Sequence, residues 1–427
     1  MPSARAWAKS ACGSRLTLRA ATAGASAPAA FMENRVMNPV LAGFPSAIDS
    51  LPQEHSVRGK NPVSKHLLLA TLLGATLAWA AAGSAVAGDL SQLLPPASFT
   101  ASTVPSNGDG NPYGVAFVPQ GFPQFGTIAA GDLLISNFNN AQNLQGTGTT
   151  VVKVVQGGSP AVFFQGTPGL GLSTALGVLR GGFVLVGNVP TTDGTFATIK
   201  PGSLLVLNRT GTLIAQWTPA TAGIDGPWDL TIFDQGDRAK IFVSNVLNGT
   251  VVRLDVMIDG SGVHLLKSTR VASGYPFRGD PAALVVGPTG LAYDPQRDVL
   301  YVASTVDNAI FAVFGAGNSQ HDGGKGVLIY ADNKHLHGPL ALALGPNGHL
   351  FTANGDAINP DSKRPSEITE FTPQGRFVAQ LSMDPQPGGA FGLAFSQPRN
   401  DSARFAAVDD NVPNVTVWTL PFDDNEQ

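Results

Sequence analysis

The chain is almost without cysteine. Of its 427 residues, only Cys12 carries a thiol. A disulfide, a cysteine nucleophile, a cysteine zinc site and a thioether-linked haem are therefore excluded for the rest of the chain. A domain of this length does not need disulfides, because a large repeat fold has ample apolar surface of its own to bury.

Charge is also scarce, and basic charge most of all. Charged residues make up 13% of the chain, and residues 1–87 hold 8 of the 26 Lys and Arg but only 3 of the 30 Asp and Glu. The remainder therefore carries an acidic excess of nine. Binding to phosphate backbones requires a basic face, so we expect no nucleic-acid partner and no attraction to anionic membrane surfaces.

The third absence is that of a long amphipathic helix, because short strands and turns fill the body of the chain. The stretch from Gly226 to Val256 shows the unit best. It contains three apolar or alternating segments, which read WDLTIF, KIFVS and TVVRLDV and are separated by QGD and NVLNG. β-branched and aromatic runs bounded by Gly, Asn and Asp are typical of strands and tight turns, and the 50 Gly and 32 Pro fall largely at such turns.

This unit recurs six times. Taking Pro227, Pro288, Pro339 and Ala390 as equivalent points gives steps of 61, 51 and 51 residues, which suit four-stranded blades of about 40–50 residues with insertions. The pattern predicts an all-β fold, a six-bladed β-propeller of four-stranded antiparallel blades that forms a single domain over residues 88–427. The last unit lacks an outer strand. We expect Ser98–Val104 to supply it by pairing with Asn414–Leu420, which closes the ring.

The segment before the repeats looks like an export signal. Basic residues precede the apolar run of residues 67–79, and an A-x-A site ends at Ala87, so residues 65–87 predict a signal peptide that is cleaved after Ala87. Residues 1–64 then form an unstructured or wrongly assigned extension. We expect an exported protein, periplasmic or extracellular, with no stable membrane span after cleavage. The alternative is an uncleaved anchor, although the apolar run is short for a span of about 20 residues.

Polar side chains gather where a functional site is expected. In a propeller, the loops before the innermost strands and the loops after the second strands emerge on one face. Candidate ligand-binding residues at these places are Asn137, Asn139, Asn188, Trp228, Asp229, Asn245, Asp307, His335, His337, Asn354, Asp356 and Asp409. The set predicts a polar funnel, and its oxygens would suit a hard cation such as calcium. The alternative for each position is ordinary turn chemistry.

Two further candidates need their own alternatives. His335 and His337 share one face if their segment is extended, so that both could meet one zinc ion or one substrate, but the pair lacks a third ligand nearby in sequence and also fits ordinary loop histidines. Trp228 is expected either at the channel mouth or inside a blade. The chain has no G-x-S-x-G motif, so no nucleophile elbow is indicated.

The stretch GPTGLAYDPQRDVLYVASTVDNAIFAV, which begins at Gly287, resembles a blade of the NHL type. The segments NPYGVAF, HGPLALAL and AFGLAF repeat its first strand, and the resemblance covers residues 111–420. It also implies a distant similarity to the regucalcin/gluconolactonase-like superfamily of six-bladed proteins. These bind a divalent metal through a Glu at the start of the first blade and Asn and Asp on later loops. This chain has no Glu at that start, which reads GNPY, but Asn188, Asn245 and Asp307 could match the later ligands.

Two functions from different classes follow. The first is an exported, non-catalytic propeller that binds a small molecule, a glycan or an envelope protein at the channel mouth. The alternative is a metal-dependent hydrolase or lyase, lactonase-like, in which a divalent cation in the channel (calcium or zinc) polarises a carbonyl group. A metal bound by clustered Asn and Asp would favour the second function, and an apolar mouth without metal would favour the first.

Overall fold

A computed structural model describes residues 97–398 and 402–421. The predicted extension (residues 1–64) and the predicted signal peptide (residues 65–87) lie outside the described residues. Within them the chain is almost entirely β-structure, with one short α-helix, α1 (Pro219–Ala222), and one 3-10 turn at Phe196–Thr198. No helix among the described residues is long and apolar enough to cross a membrane.

The strands form six antiparallel sheets of four strands, which is the predicted six-bladed β-propeller. Strand β1 is Phe99–Ser102 and belongs to the last blade. The other strands follow in chain order, from the channel outwards in each blade. Blade 1 contains β2 (Gly110–Phe117), β3 (Leu133–Asn139), β4 (Thr150–Lys153) and β5 (Ala161–Gln165); blade 2 contains β6 (Leu172–Leu179), β7 (Phe183–Asn188), β8 (Ser203–Asn208) and β9 (Leu213–Trp217); blade 3 contains β10 (Pro227–Asp234), β11 (Arg238–Asn245), β12 (Thr250–Asp259) and β13 (Gly262–Ala272).

Between blades 3 and 4 the chain forms an additional two-stranded hairpin, β14 (Arg278–Asp280) and β15 (Leu284–Val286). Blade 4 contains β16 (Pro288–Asp294), β17 (Val299–Ser304), β18 (Ala309–Phe314) and β19 (Val327–Ala331); blade 5 contains β20 (Pro339–Leu344), β21 (Leu350–Asn354), β22 (Glu367–Phe371) and β23 (Phe377–Ser382); blade 6 contains β24 (Ala390–Phe395), β25 (Ser402–Asp409) and β26 (Asn414–Pro421).

The ring closes as the sequence predicts. Strand β1 is the outer strand of blade 6 and pairs antiparallel with β26, with Phe99 opposite Val417 and Ser102 opposite Asn414. Outside the ladder, the hydroxyls of Ser98 and Thr419 share a hydrogen bond of 2.9 Å. The last blade is thus built from both ends of the repeat region, and this joins the first blade to the last.

Apolar side chains between adjacent blades form the core. Between blades 2 and 3, for example, Leu185, Val206, Ile241 and Leu254 are fully buried in one cluster. Nearest the channel, the inner strands approach each other so closely that small residues are needed. A Cβ on Gly290 would lie 2.3 Å from the backbone nitrogen of Leu342 in the next blade, so this position requires glycine.

Candidate functional site

The end of the channel where the inner strands begin is filled by aromatic rings. Tyr113 is stacked between Phe138 and Phe391, with ring centroids 4.4 Å and 4.1 Å away, and Trp228 meets Tyr113 edge-on at 5.8 Å. None of the four rings is more than 3% exposed. Trp228 is therefore a buried aromatic at this end of the channel.

The hairpin β14–β15 covers these rings. Its second strand and the residue before it, Ala283–Val286, are buried in the same apolar cluster. Asp280 shapes the turn by accepting hydrogen bonds from the backbone nitrogens of Ala282 and Ala283. On the far side, the Gln145 amide of blade 1 donates to the carbonyl of Pro281 at 2.9 Å. The mouth is thus closed by an apolar plug rather than opened as a polar funnel.

Four of the predicted asparagines lie at or near the ends of the second strands of their blades, and all four donate hydrogen bonds to groups in or beside their own blade. The amide nitrogens of Asn137, Asn188 and Asn245 donate to the hydroxyls of Thr150, Ser203 and Thr250 at 3.1, 3.0 and 3.1 Å. Asn354 donates to the carbonyl of His335 at 2.9 Å. These contacts tie the second strand to the third strand and the preceding loop.

Asn139 and Asp409 also bond within their own loops. The Asn139 amide donates to the side-chain oxygen of Asn143 at 2.7 Å. Asp409 accepts from the backbone nitrogens of Asn411 and Val412, and burial raises the pKa of its carboxyl group to about 6, with nearby Asp384 adding to the shift.

The suggested metal ligands Asn188, Asn245 and Asp307 do not fit a shared cation. The amide oxygen of Asn188 accepts from the Ser203 nitrogen and that of Asn245 from the Asp225 nitrogen. Both carboxylate oxygens of Asp307 lie 2.9–3.0 Å from the Lys325 ammonium, which takes the place that a cation would occupy. Across residues 97–398 and 402–421, no group of three or more His, Cys, Asp and Glu is arranged to hold a metal ion.

Asp229 lies in the wall of the channel itself. It borders a small cavity of about 50 Å³ that inner strands of blades 1, 2, 3, 5 and 6 line. Its two carboxyl oxygens accept from the backbone nitrogens of Leu230 and, across the blade boundary, Leu291. Burial raises the pKa of this carboxyl group to about 8, although both hydrogen bonds act in the opposite direction. The carboxyl group of Asp229 thus links blade 3 to blade 4 through its hydrogen bonds. The cavity beside it is too small for an organic ligand.

A larger pocket lies among the loops at the rim of blade 5. Its volume is about 450 Å³, within the usual range of ligand pockets. Its lining residues are Asn333, Lys334, His337, Asn359, Pro360, Asp361, Lys363 and Arg364. Three cationic side chains face one carboxylate, so that the pocket is locally positive in a chain with an acidic excess.

His337 forms part of this pocket, whereas His335 does not line it. His335 pairs with Asp332 at 2.7 Å and stacks on Phe377 with centroids 3.9 Å apart. The Nε2 atom of His337 lies 3.6 Å from an oxygen of Glu367, which is fully buried. The two histidines therefore have separate surroundings, and the sequence argument that they share one face does not describe this loop.

Two carboxyl groups lie close enough to His337 to feel its charge, the buried one of Glu367 and the half-buried one of Asp356. Burial raises the pKa of Glu367 to about 7, against the opposing effect of His337. Burial also raises the pKa of Asp356, even though its Oδ2 atom accepts from the backbone nitrogens of Ser366 and Gly388. Asp356 and His337 were candidates from the sequence; His337 lines this pocket, and Asp356 lies near enough to His337 for the two charges to interact.

Sequence reasoning missed Glu367, Lys334, Lys363 and Arg364. A signal for Glu367 was present in the repeat, because the facing positions in blades 1 to 3 are the hydroxyl residues Thr150, Ser203 and Thr250. Blades 4 and 6 have Ala309 and Asn414 at this point, so that Glu367 is the charged residue of the series. The three cations carry no such signal, since they lie in loops whose course the repeat does not determine.

No protein family model matches the sequence, and no curated protein matches it either. Among solved structures, the chain is similar to a gluconolactonase from Xanthomonas campestris, at 15% identity over 78% of this chain and 92% of that one, with a TM-score of 0.47. It is also similar to a luciferin-regenerating enzyme (11%, 75% and 94%, 0.45) and to regucalcin, a calcium-binding protein from Agrobacterium tumefaciens (13%, 76% and 96%, 0.44). These similarities concern the fold alone, and the expected six-bladed propeller is confirmed by the six four-stranded sheets themselves.

Proposed function

We propose that this protein is an exported, non-catalytic propeller that binds a small anionic molecule or an acidic glycan in the rim pocket of blade 5. The observation that carries the proposal is the cationic lining of that pocket. Lys334, Lys363 and Arg364 face a single carboxylate, that of Asp361. The chain after residue 87 has an acidic excess, and against that background the positive lining of this pocket attracts anions locally.

The chemistry of the lining suits a carboxylate or sulfate that also carries hydroxyl groups. Arg364 can hold an oxyanion with two parallel hydrogen bonds, while the lysines act as point charges. The Asn333 and Asn359 amides can pair with hydroxyl groups. A pocket of about 450 Å³ has room for one or two sugar rings.

The closed mouth is the reason to prefer this pocket to the channel. A ligand at the mouth would have to displace the hairpin residues Ala283–Val286, which are buried against Tyr113 and Trp228. Exposing them again would cost about 25 cal/mol for each Å² of apolar surface. The rim pocket requires no such displacement.

A panel of anions tests the proposal. Thermal unfolding of the protein is followed with inorganic phosphate, citrate, glucuronate and oligogalacturonate, and with neutral glucose as a control. We expect an acidic sugar to raise the melting temperature, and the variant Lys363→Ala/Arg364→Ala to lose at least tenfold in affinity. Lys200→Ala, on an exposed loop of blade 2, is the matched control. Equal responses to glucose and glucuronate would overturn the proposal.

The proposal that the protein is exported rests on the signal-peptide pattern of residues 65–87. We propose that cleavage after Ala87 releases the propeller to the periplasm or the medium. N-terminal sequencing of the protein recovered outside the cytoplasm should begin at Gly88. A product that still contains residues 1–60 would contradict this assignment.

The second candidate is hydrolysis of an ester or a lactone, the class of reaction named for the gluconolactonase. The observation that favours it is the buried Glu367 next to the His337 ring at the pocket wall, an arrangement that can move a proton to or from a bound ligand. An ester and lactone panel tests it. Turnover that His337→Gln abolishes without loss of ligand affinity would establish hydrolysis in place of simple binding.

A further inference from the structure

Glu367 and two nearby residues of blade 5 contain four buried acceptor oxygens that have no hydrogen-bond partner. Glu367 is 0% exposed, and neither of its carboxylate oxygens accepts a hydrogen bond; the His337 ring, 3.6 Å from Oε1, is beyond hydrogen-bond distance. Oδ1 of Asp356 and Oδ1 of Asn354 are buried and unpaired as well. Each buried acceptor without a hydrogen bond lowers the folding stability by about 1–3 kcal/mol, and most buried polar atoms in proteins have a hydrogen-bond partner. We therefore expect these oxygens to meet a partner from outside the chain.

These oxygens come from neighbouring positions. Asn354 ends β21 and Glu367 begins β22, and each directly adjoins the last paired residues of the two strands, Ala353 and Ile368. Asn354 uses its amide nitrogen for the His335 carbonyl and the Thr369 hydroxyl, and its oxygen has no hydrogen-bond partner. Asp356 uses Oδ2 for the nitrogens of Ser366 and Gly388, which leaves Oδ1 free. The hydrogen bonds of these side chains therefore use other atoms and leave the acceptor oxygens without a partner.

Blades 1 to 3 fill the position of Glu367 differently. There the asparagine at or near the end of the second strand donates to the Thr or Ser hydroxyl at this position, at 3.0–3.1 Å. In blade 5 the Asn354 amide donates to the hydroxyl of Thr369 at 3.3 Å instead, and Glu367 brings a negative charge. Turn chemistry alone does not require this carboxylate, and its ion-pair partner His337 lies 3.6 Å away, beyond hydrogen-bond distance.

We propose that Glu367, Asp356 and Asn354 bind a hard cation, with calcium as the best fit. Calcium takes six to eight oxygen ligands in flexible geometry. A bidentate Glu367 with one oxygen each from Asp356 and Asn354 supplies four, and water or backbone carbonyls complete the shell. Two carboxylates balance a divalent charge, while zinc would ask for more nitrogen or sulfur ligands. The site adjoins the rim pocket through His337, but its ligands are distinct from the rim cations Lys334, Lys363 and Arg364.

Calcium itself is the probe. The full chain is stripped with EDTA, and its binding of calcium and magnesium is measured by titration calorimetry and by thermal unfolding. We expect one calcium per chain and a rise in melting temperature of about 2–4 °C at a hundredfold excess over the dissociation constant. Glu367→Gln keeps the shape but removes the charge, and should weaken calcium binding at least tenfold.

Two further variants keep the test decisive. If Glu367→Gln fails to fold, Asp356→Asn serves in its place. It should also weaken calcium binding, and its amide oxygen can still accept from the Ser366 and Gly388 nitrogens. Asp307→Asn, at the salt bridge with Lys325, should leave calcium binding unchanged. The proposal is overturned if the protein binds no calcium, if binding survives both blade 5 variants, or if Asp307→Asn abolishes it. Anion binding measured on the same variants separates this result from the fate of the proposed function.

Discussion

At the scale of single residues, Asp229 shows how a repeat position acquires a property of its own. The equivalent residues of the other blades are glycine or alanine: Gly114, Ala175, Gly290, Ala341 and Gly392. Asp229 instead places a carboxyl group between two inner strands, where it accepts from Leu230 and Leu291. The price is a pKa raised to about 8 by burial.

The stability of the protein should therefore depend on pH through Asp229. Its folded pKa lies above the ordinary value of 3.8, so the folded state holds the proton more tightly, and stability falls as the pH rises from about 4 to about 8. Asp229→Asn cannot ionise. We expect it to lose about 1 kcal/mol near pH 5, where one N–H lacks its acceptor, and to be the more stable protein at pH 8–9.

Denaturant unfolding at pH 5, 7 and 9 measures this crossover. Asp237→Asn is the matched control, because Asp237 is exposed in a turn of the same blade. Parallel stability curves for wild type and Asp229→Asn would show that the carboxyl group is not buried in the way described.

The sequence could predict which residue types end the second strands but not what their side chains would meet. The asparagines at 137, 188, 245 and 354 are all placed as the repeat suggests, and all bond to their own blades or adjoining loops. Sequence alone cannot separate a turn-forming asparagine from a ligand-binding one, because both need the same amide. Glu367 differs, since its departure from Thr and Ser is visible in the aligned units.

At the scale of elements, the hairpin β14–β15 decides which end of the channel is accessible. It is an insertion between blades 3 and 4, and the step of 61 residues from Pro227 to Pro288 records its extra length. The longer step between the repeats shows that about ten residues are inserted here. That it folds inward over Tyr113 and Trp228 depends on packing, which spacing does not reveal.

Replacing residues 278–286 with a short Gly-Ser linker should expose the aromatic cluster. Apolar surface that becomes accessible binds hydrophobic dyes, so we expect enhanced ANS fluorescence and a lower melting temperature. Phe125→Ala is the control, because Phe125 is 92% exposed and packs against little. Unchanged fluorescence and melting temperature would mean that the hairpin does not cover the rings.

The closing strand β1 was predictable because blade 6 visibly lacked a fourth strand. Its four residues pair with β26 over Phe99–Ser102, so a chain that begins at residue 105 leaves blade 6 with an open edge. We expect this chain to melt at least 5 °C lower and to self-associate in size-exclusion chromatography, while a chain that begins at residue 97 behaves as wild type. Identical behaviour of the two would exclude closure by β1.

At the scale of the whole molecule, the repeat determined the number of blades, and the loops determined the site. Each blade contributes the same strands, so six similar units specify the ring. The rim pocket arises where the blade 4–5 connection and the long loop of blade 5 meet, which brings Lys334, Lys363 and Arg364 together. Contacts between loops distant in sequence leave no periodic trace, and for that reason the pocket could not be predicted.

The most direct test of this account is a calorimetric titration with the acidic sugar that binds best, in three proteins. These are the wild type, Lys363→Ala/Arg364→Ala at the rim pocket, and Val285→Ala in the hairpin over the mouth. The account predicts that the rim variant loses at least tenfold in affinity and that Val285→Ala binds as the wild type does. Loss of affinity in Val285→Ala, with unchanged binding in the rim variant, would place the ligand at the channel mouth and contradict it.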